Sequence, residues 1–342
     1  MKKPLSSLLP ADVRVLERGW LSSNNIVCLG DAPAIIDTGH VKHAEQTVEL
    51  LREQLGTQAL ATIAHTHLHS DHCGGTGALQ NAWPETGSST LVPFESLPHV
   101  QAWDEDELTF GNTGQRCERF SASHALVPGK TVRLGNRNWE VHAAPGHDAL
   151  AVLLFEPIDG LLIAGDAMWE NGVGVIFPQI DGSQSSSPPH QGSLLPAPQE
   201  PETQRTPELS DWFDPFVETL ALIEQLAPRV VIPGHGAPFS RESGAMDAAF
   251  TAARQRIKYF KDHPAQHALY AAKVMIKYQL MDAESMPHRD FEAWLHAAPM
   301  LRVAHRQHRP DLAWSEWLDT LLASLFDKGT LRRTATHVLD GH

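Results

Sequence analysis

The segment Thr66-His67-Leu68-His69-Ser70-Asp71-His72-Cys73-Gly74-Gly75 constrains this chain more than any other. Three imidazoles and a carboxylate fall within six residues, directly after the short apolar stretch Leu60–Ala64. A strand that ends in such a turn can fold these side chains toward one point. Neutral imidazole nitrogens bind zinc or iron, and a carboxylate adds anionic oxygen. His67 and His69 are two residues apart and can share one ion, while Asp71 and His72 are offset and can serve a second. Gly74 and Gly75 allow a tight backbone turn before the next helix.

Three further positions repeat one local pattern of apolar strand, turn and metal-competent side chain. They are Ala144-Pro145-Gly146-His147, Leu162-Ile163-Ala164-Gly165-Asp166 and Ile232-Pro233-Gly234-His235. Each alone is an ordinary turn signal. Their recurrence in a chain with 20 histidines makes a metal centre the leading expectation.

The pattern along the chain is that of an α/β layered protein. Val13–Trp20, Asn25–Cys28 and Ala34–Ile36 read as strands, and 43–55 places Ala44, Val48, Leu51 and Leu55 on one helical face before Gly56. Thr131–Ala143, Ala149–Phe155, Gly160–Ala164 and Arg229–Ile232 read as strands, with a helix over 214–226. Residues 182–207 are rich in Ser, Gln and Pro and have no period. They are expected to form a flexible surface insertion, with Leu194-Leu195 as its only apolar anchor for a lid. Beyond 245 the expected elements are helices over 246–262, 266–281, 289–298 and 314–327, then a short β element over 330–339. The charge divides likewise: residues 241–342 carry 14 Lys and Arg against 12 Asp and Glu, whereas the rest carries 13 against 29.

Taken in order, Asp37 in Ile35-Ile36-Asp37-Thr38-Gly39, the run at 67–72, His147, Asp166 and His235 resemble the five motifs of the metallo-β-lactamase superfamily. The resemblance covers residues 13–240. It implies an α+β fold, a four-layer αβ/βα sandwich of two mixed sheets, with a two-metal site at one edge. His67, His69 and His147 would hold the first ion. Asp71, His72 and His235 would hold the second, and Asp166 would bridge them. Asp37 would orient the histidine turn from behind. Asp71 and Asp166 are the expected catalytic carboxylates, and the cofactors would be two divalent metal ions, zinc first, with iron or manganese as alternatives. Cys73 is expected to be a small core residue.

The same resemblance implies a catalytic domain over 1–244 and a helical, winged-helix-like domain over 245–342. It implies a hydrolase in which a hydroxide generated between the metals attacks an ester, thioester or related acyl group of a small molecule. A phosphodiesterase or endoribonuclease is the alternative, with Arg302, His305, Arg306, His308, Arg309, Arg332 and Arg333 as a basic patch for nucleic acid. An iron persulfide dioxygenase of the same fold is a third reading, disfavoured by the full seven-donor set. All three tyrosines, Tyr259, Tyr270 and Tyr278, lie in the C-terminal part, so the tyrosine that lactonase members place beside their metals has no match in the catalytic part. Three scattered cysteines exclude a disulfide framework, and with no apolar run of signal or membrane-spanning length the expected location is cytoplasmic.

Overall fold

The computed structural model describes residues 8–176 and 213–341; the Ser- and Pro-rich stretch at 182–207, with Leu194 and Leu195, lies outside them. Two six-stranded sheets form the centre. The first holds β1 (Val13–Leu16), β2 (Asn25–Cys28), β3 (Ala34–Ile36), β4 (Thr62–Ala64), β5 (Thr90–Pro93) and β6 (His124–Leu126), side by side in chain order. β1, β2 and β3 pair antiparallel, and β3 to β6 pair parallel. The second sheet holds β7 (Thr131–Leu134), β8 (Arg137–Ala143), β9 (Val152–Glu156), β10 (Leu161–Gly165), β11 (Val230–Pro233) and β12 (Phe239–Ser240). Only β10 and β11 run parallel within it.

Parallel neighbours require crossovers, and helices supply them. α1 (Ala44–Leu55) links β3 to β4. The one-turn α2 (Ser70–Cys73) and α3 (Thr76–Ala82) link β4 to β5, and α4 (Leu97–Ala102) and α5 (Phe110–Thr113) lead to β6. α6 (Asp214–Leu226) precedes β11.

Strand alternation sorts the side chains into layers. Ile26, Ala34 and Ile36 face Trp139, Val141, Leu154, Leu161, Ile163 and Ile232 between the sheets. Their neighbours Val27, Ile35 and Ile63 face outward against Val48, Leu51, Leu55 and Leu79 of α1 and α3. On the far side, Leu153, Leu162 and Val231 meet Phe216, Leu220 and Ile223 of α6, joined by Met246, Phe250 and Ile257 of α7 (Ala245–Asp262). β9 and β10 are buried along their whole length, hence their unbroken apolar runs. The result is the expected four layers, helix, sheet, sheet and helix.

After α7 come α8 (Pro264–Ala283), β13 (Ser285–Pro287), α9 (His288–Ala297), α10 (Pro299–His308), α11 (Trp314–Asp327), β14 (Leu331–Arg333) and β15 (His337–Asp340). They enclose a separate core that includes Ile276, Leu280, Leu295, Leu301, Trp317, Leu321 and Val338. β15 lies between β13 and β14 in a three-stranded antiparallel sheet. Among the described residues no helix is long and apolar enough to cross a membrane.

Candidate metal centre

The strand ends aim at one edge of the sandwich. β4 runs out into His67–His72, β8 into His147, β10 into Asp166 and β11 into His235. The seven side chains converge as two groups, His67 with His69 and His147, and Asp71 with His72, Asp166 and His235. Within each group the donor atoms lie within 4.8 Å of one another. Asp166 touches both groups: its Oδ1 is 3.4 Å from His72 Nε2 and its Oδ2 is 3.5 Å from His147 Nε2.

The hydrogen bonds behind the imidazoles fix their tautomers. His72 Nδ1 donates to Asp37 Oδ2 at 2.8 Å, which makes Nε2 the nitrogen that faces inward. His147 Nδ1 donates to the Val175 carbonyl at 2.5 Å, which does the same for its Nε2. Thr66 Oγ1 donates to Asp37 Oδ2 at 2.9 Å and so accepts from His67 Nδ1 at 3.1 Å. His67 Nε2, His69 Nδ1 and His147 Nε2 then face one another at 3.1 and 2.8 Å. Three imidazole nitrogens gathered this closely can serve a single cation as ligands. In the second group His72 Nε2, which faces Asp166, is buried without a hydrogen-bond partner. Buried polar atoms are rarely left so, and the donor set therefore fits a pair of divalent ions.

The electrostatics agree. Burial and the neighbouring imidazoles push His67 well below the ordinary histidine range and His147 down to about 4, so both stay neutral. Burial opposes ionisation of Asp71 and Asp166, but the charges of His72 and His235 outweigh it, holding Asp71 at about 2 and Asp166 lower than usual. Burial also opposes a charge on His72. The Asp166, Asp37 and Asp71 carboxylates outweigh it and raise His72 well above its ordinary value. The same three carboxylates would stabilise a metal cation at that point.

Two glycine segments make the geometry possible. A Cβ on Gly234 would lie 2.2 Å from Asp166 Oδ1, so the residue before His235 must lack a side chain. Cβ atoms on Gly74 and Gly75 would lie 2.4 Å from Val41 N and the Thr38 carbonyl oxygen, where the histidine turn packs on the segment after β3. Asp37 sits in that segment with φ +57°, buried, its Oδ1 accepting the Thr66 N–H at 2.9 Å.

Other neighbours were not evident in the sequence. Trp20 is exposed, and its ring stacks on His235 with centroids 5.4 Å apart. Trp169 packs edge-on against both and donates from Nε1 to Asp166 Oδ1 at 3.2 Å. Its position three residues after Asp166 was the only local signal for it. Tyr278, remote in sequence, places its hydroxyl 2.7 Å from Ser70 Oγ. Cys73 is buried, its Sγ 3.7 Å from Cys117 Sγ and 3.4 Å from the Leu68 carbonyl.

The family model of the metallo-beta-lactamase superfamily matches residues 18–235. A probable metallo-hydrolase of Bacillus subtilis, YqjP, is 24% identical over 252 residues, covering 66% of this chain and 71% of the relative. A hydroxyacylglutathione hydrolase of Chromohalobacter salexigens is 30% identical over 150 residues, covering 43% of this chain and 47% of the relative. One from Legionella pneumophila is 26% identical over 118 residues, covering 34% and 37%. The chain thus spans less than half of these two hydroxyacylglutathione hydrolases. Among solved structures, the native FEZ-1 metallo-beta-lactamase from Legionella gormanii aligns with a TM-score of 0.53 at 12% identity, over 74% of this chain and 94% of that one. With the two-sheet fold and the converging donors at its edge, this match to most of the chain shows that the protein belongs to the metallo-beta-lactamase superfamily.

Proposed function

We propose that this metal-dependent hydrolase acts on a small ester, thioester or related acyl substrate through two divalent ions, zinc first. His67, His69 and His147 would hold one, Asp71, His72 and His235 the other, and Asp166 both. The observation that carries this reading is the position of Asp166, whose two oxygens face donors of different groups. Ions held there would supply Lewis acidity and an acidified water. The chain does the rest. Asp71, kept ionised, accepts a hydrogen bond from the attacking water and aligns it. Asp37 fixes His72, and the Trp20 and Trp169 rings wall the site beside His235. The kinship with hydroxyacylglutathione hydrolases supports an acyl-transfer chemistry.

We further propose the division into a catalytic unit over 1–244 and a C-terminal unit over 245–342 that shapes access, with α7 connecting them. The phosphodiesterase reading draws less support. Arg302 stacks on Trp314, Arg309 pairs with Asp311 and Arg333 lies over Phe326, so much of the basic patch is already engaged. A panel of acyl esters, glutathione thioesters, a bis-aryl phosphodiester and single-stranded RNA, run on protein of measured metal content, tests this. Turnover of the acyl substrates alone is expected; turnover of the phosphodiester or RNA alone would overturn the reading.

A further inference from the structure

Ser70 stands between His69 and Asp71, which belong to different donor groups. It also opens α2, a single four-residue turn. One helical turn has almost no stability of its own, and the residue preceding it provides no side-chain cap. The direction in which Asp71 leaves the turn therefore depends on outside braces.

Two braces hold the turn at Ser70. Its backbone N–H donates to Gln115 Oε1 at 2.6 Å, and its hydroxyl bonds the Tyr278 hydroxyl at 2.7 Å. Tyr278 rides on α8, whose end is tied down beside both. Buried Asp282 takes a two-pronged ion pair from Arg116, next to Gln115, and its carbonyl accepts from Lys42 Nζ at 3.1 Å. The Tyr278 ring also meets His40 edge-on at 6.1 Å. One helix end thus grips the 40–42 and 115–116 segments and reaches the turn itself. The Asp71 carboxylate lies 3.1 Å from His235 Nε2 and 3.8 Å from His72 Nε2, both within its own donor group, and the Asp71 carbonyl accepts the Ser23 N–H at 2.9 Å.

We propose that Tyr278 is a positioning residue for the second metal: its hydroxyl, acting through Ser70, sets the direction of Asp71. The C-terminal unit thereby completes a metal site whose donors all lie elsewhere. This rests on the two-metal reading above.

The test is a stepwise zinc titration of the full chain against a chromophoric chelator, with Tm measured in parallel. His235→Ala, which lacks a donor of the second group only, identifies the step belonging to that group. Tyr278→Phe keeps the ring and removes the hydroxyl. It is expected to weaken the second step roughly tenfold, leaving the first step and the Tm of the metal-free chain nearly unchanged. Ser70→Ala should do the same, and the double variant should lose no more than either single one. Wild-type affinities in Tyr278→Phe, additive losses in the double variant, or equal loss at both steps with a lowered Tm would each overturn the proposal. If the wild-type chain takes up only one ion, the two-metal reading fails and this proposal with it. Two clear steps with an unaffected variant refute this proposal alone.

Discussion

Asp37 Oδ2 accepts a hydrogen bond from His72 Nδ1 at 2.8 Å while its backbone is held at φ +57°. The same carboxylate takes both the N–H and the hydroxyl of Thr66, so one buried side chain ties the start of the histidine turn to its far end. Asn tolerates positive φ, so Asp37→Asn isolates the carboxylate's role from the backbone's. Metal affinity is expected to fall about 10- to 100-fold in chelator competition. Unchanged affinity would show that the tie to His72 does not matter for metal binding.

Asp166 faces both donor groups, so its loss should be felt at both. Elemental analysis of protein purified without chelator should give about two ions per wild-type chain. Asp166→Ala should retain about one or none, with kcat/KM lower by orders of magnitude and an intact far-UV spectrum. Near-normal turnover in that variant would remove Asp166 from the site.

Trp20 is 62% exposed although its ring lies against His235. An apolar acyl group entering beside His235 would cover that free face. Trp20→Ala is expected to reduce kcat/KM for aromatic or long-chain acyl esters about tenfold, near 1.4 kcal/mol, and to leave acetyl esters almost unaffected. An equal loss on both kinds of substrate would mean that the ring only supports His235.

His267 tests the packing rather than the metals. It is buried against Phe213 and Phe260, and burial lowers it from its ordinary value near 6.5 to about 4, a hydrogen bond to the Ile176 carbonyl partly opposing. Between those values the unfolded chain binds a proton that the folded chain does not. Its contribution is complete above about pH 6.5 and is lost as pH falls toward 4, on the order of 3 kcal/mol. Wild-type stability should therefore fall more steeply over that window than that of His267→Gln in urea titrations. Parallel slopes would show that His267 takes up its proton over the same pH range in the folded and unfolded chains.

The seven donors could be read from the sequence because each follows an apolar strand and a turn, a local signal. Contacts made by docking could not. Tyr278 and Ser70 are 208 residues apart, and nothing near either one marks the pair. The stretch from Val13 to Trp20 looks like one strand, yet β1 stops at Leu16. Arg18 turns away to bond Asn25, Thr47 and Gln46, which draws the chain off the sheet and over the site. α10 escaped the helix reading because Pro299 resembles a break, whereas here it occupies the first turn, where its missing N–H costs nothing. β13 is three residues long, too short for a period to show.

Both donor groups straddle the sandwich. His67, His69, Asp71 and His72 hang from the first sheet, and His147, Asp166 and His235 from the second. Any ion bound there rivets one sheet to the other, so the cohesion of the fold becomes a function of free metal concentration. At a hundred times the dissociation constant, a single site adds about 2.7 kcal/mol against unfolding. Metal starvation would then act on this protein in two ways at once, emptying the site and raising the fraction of chains transiently open to proteolysis.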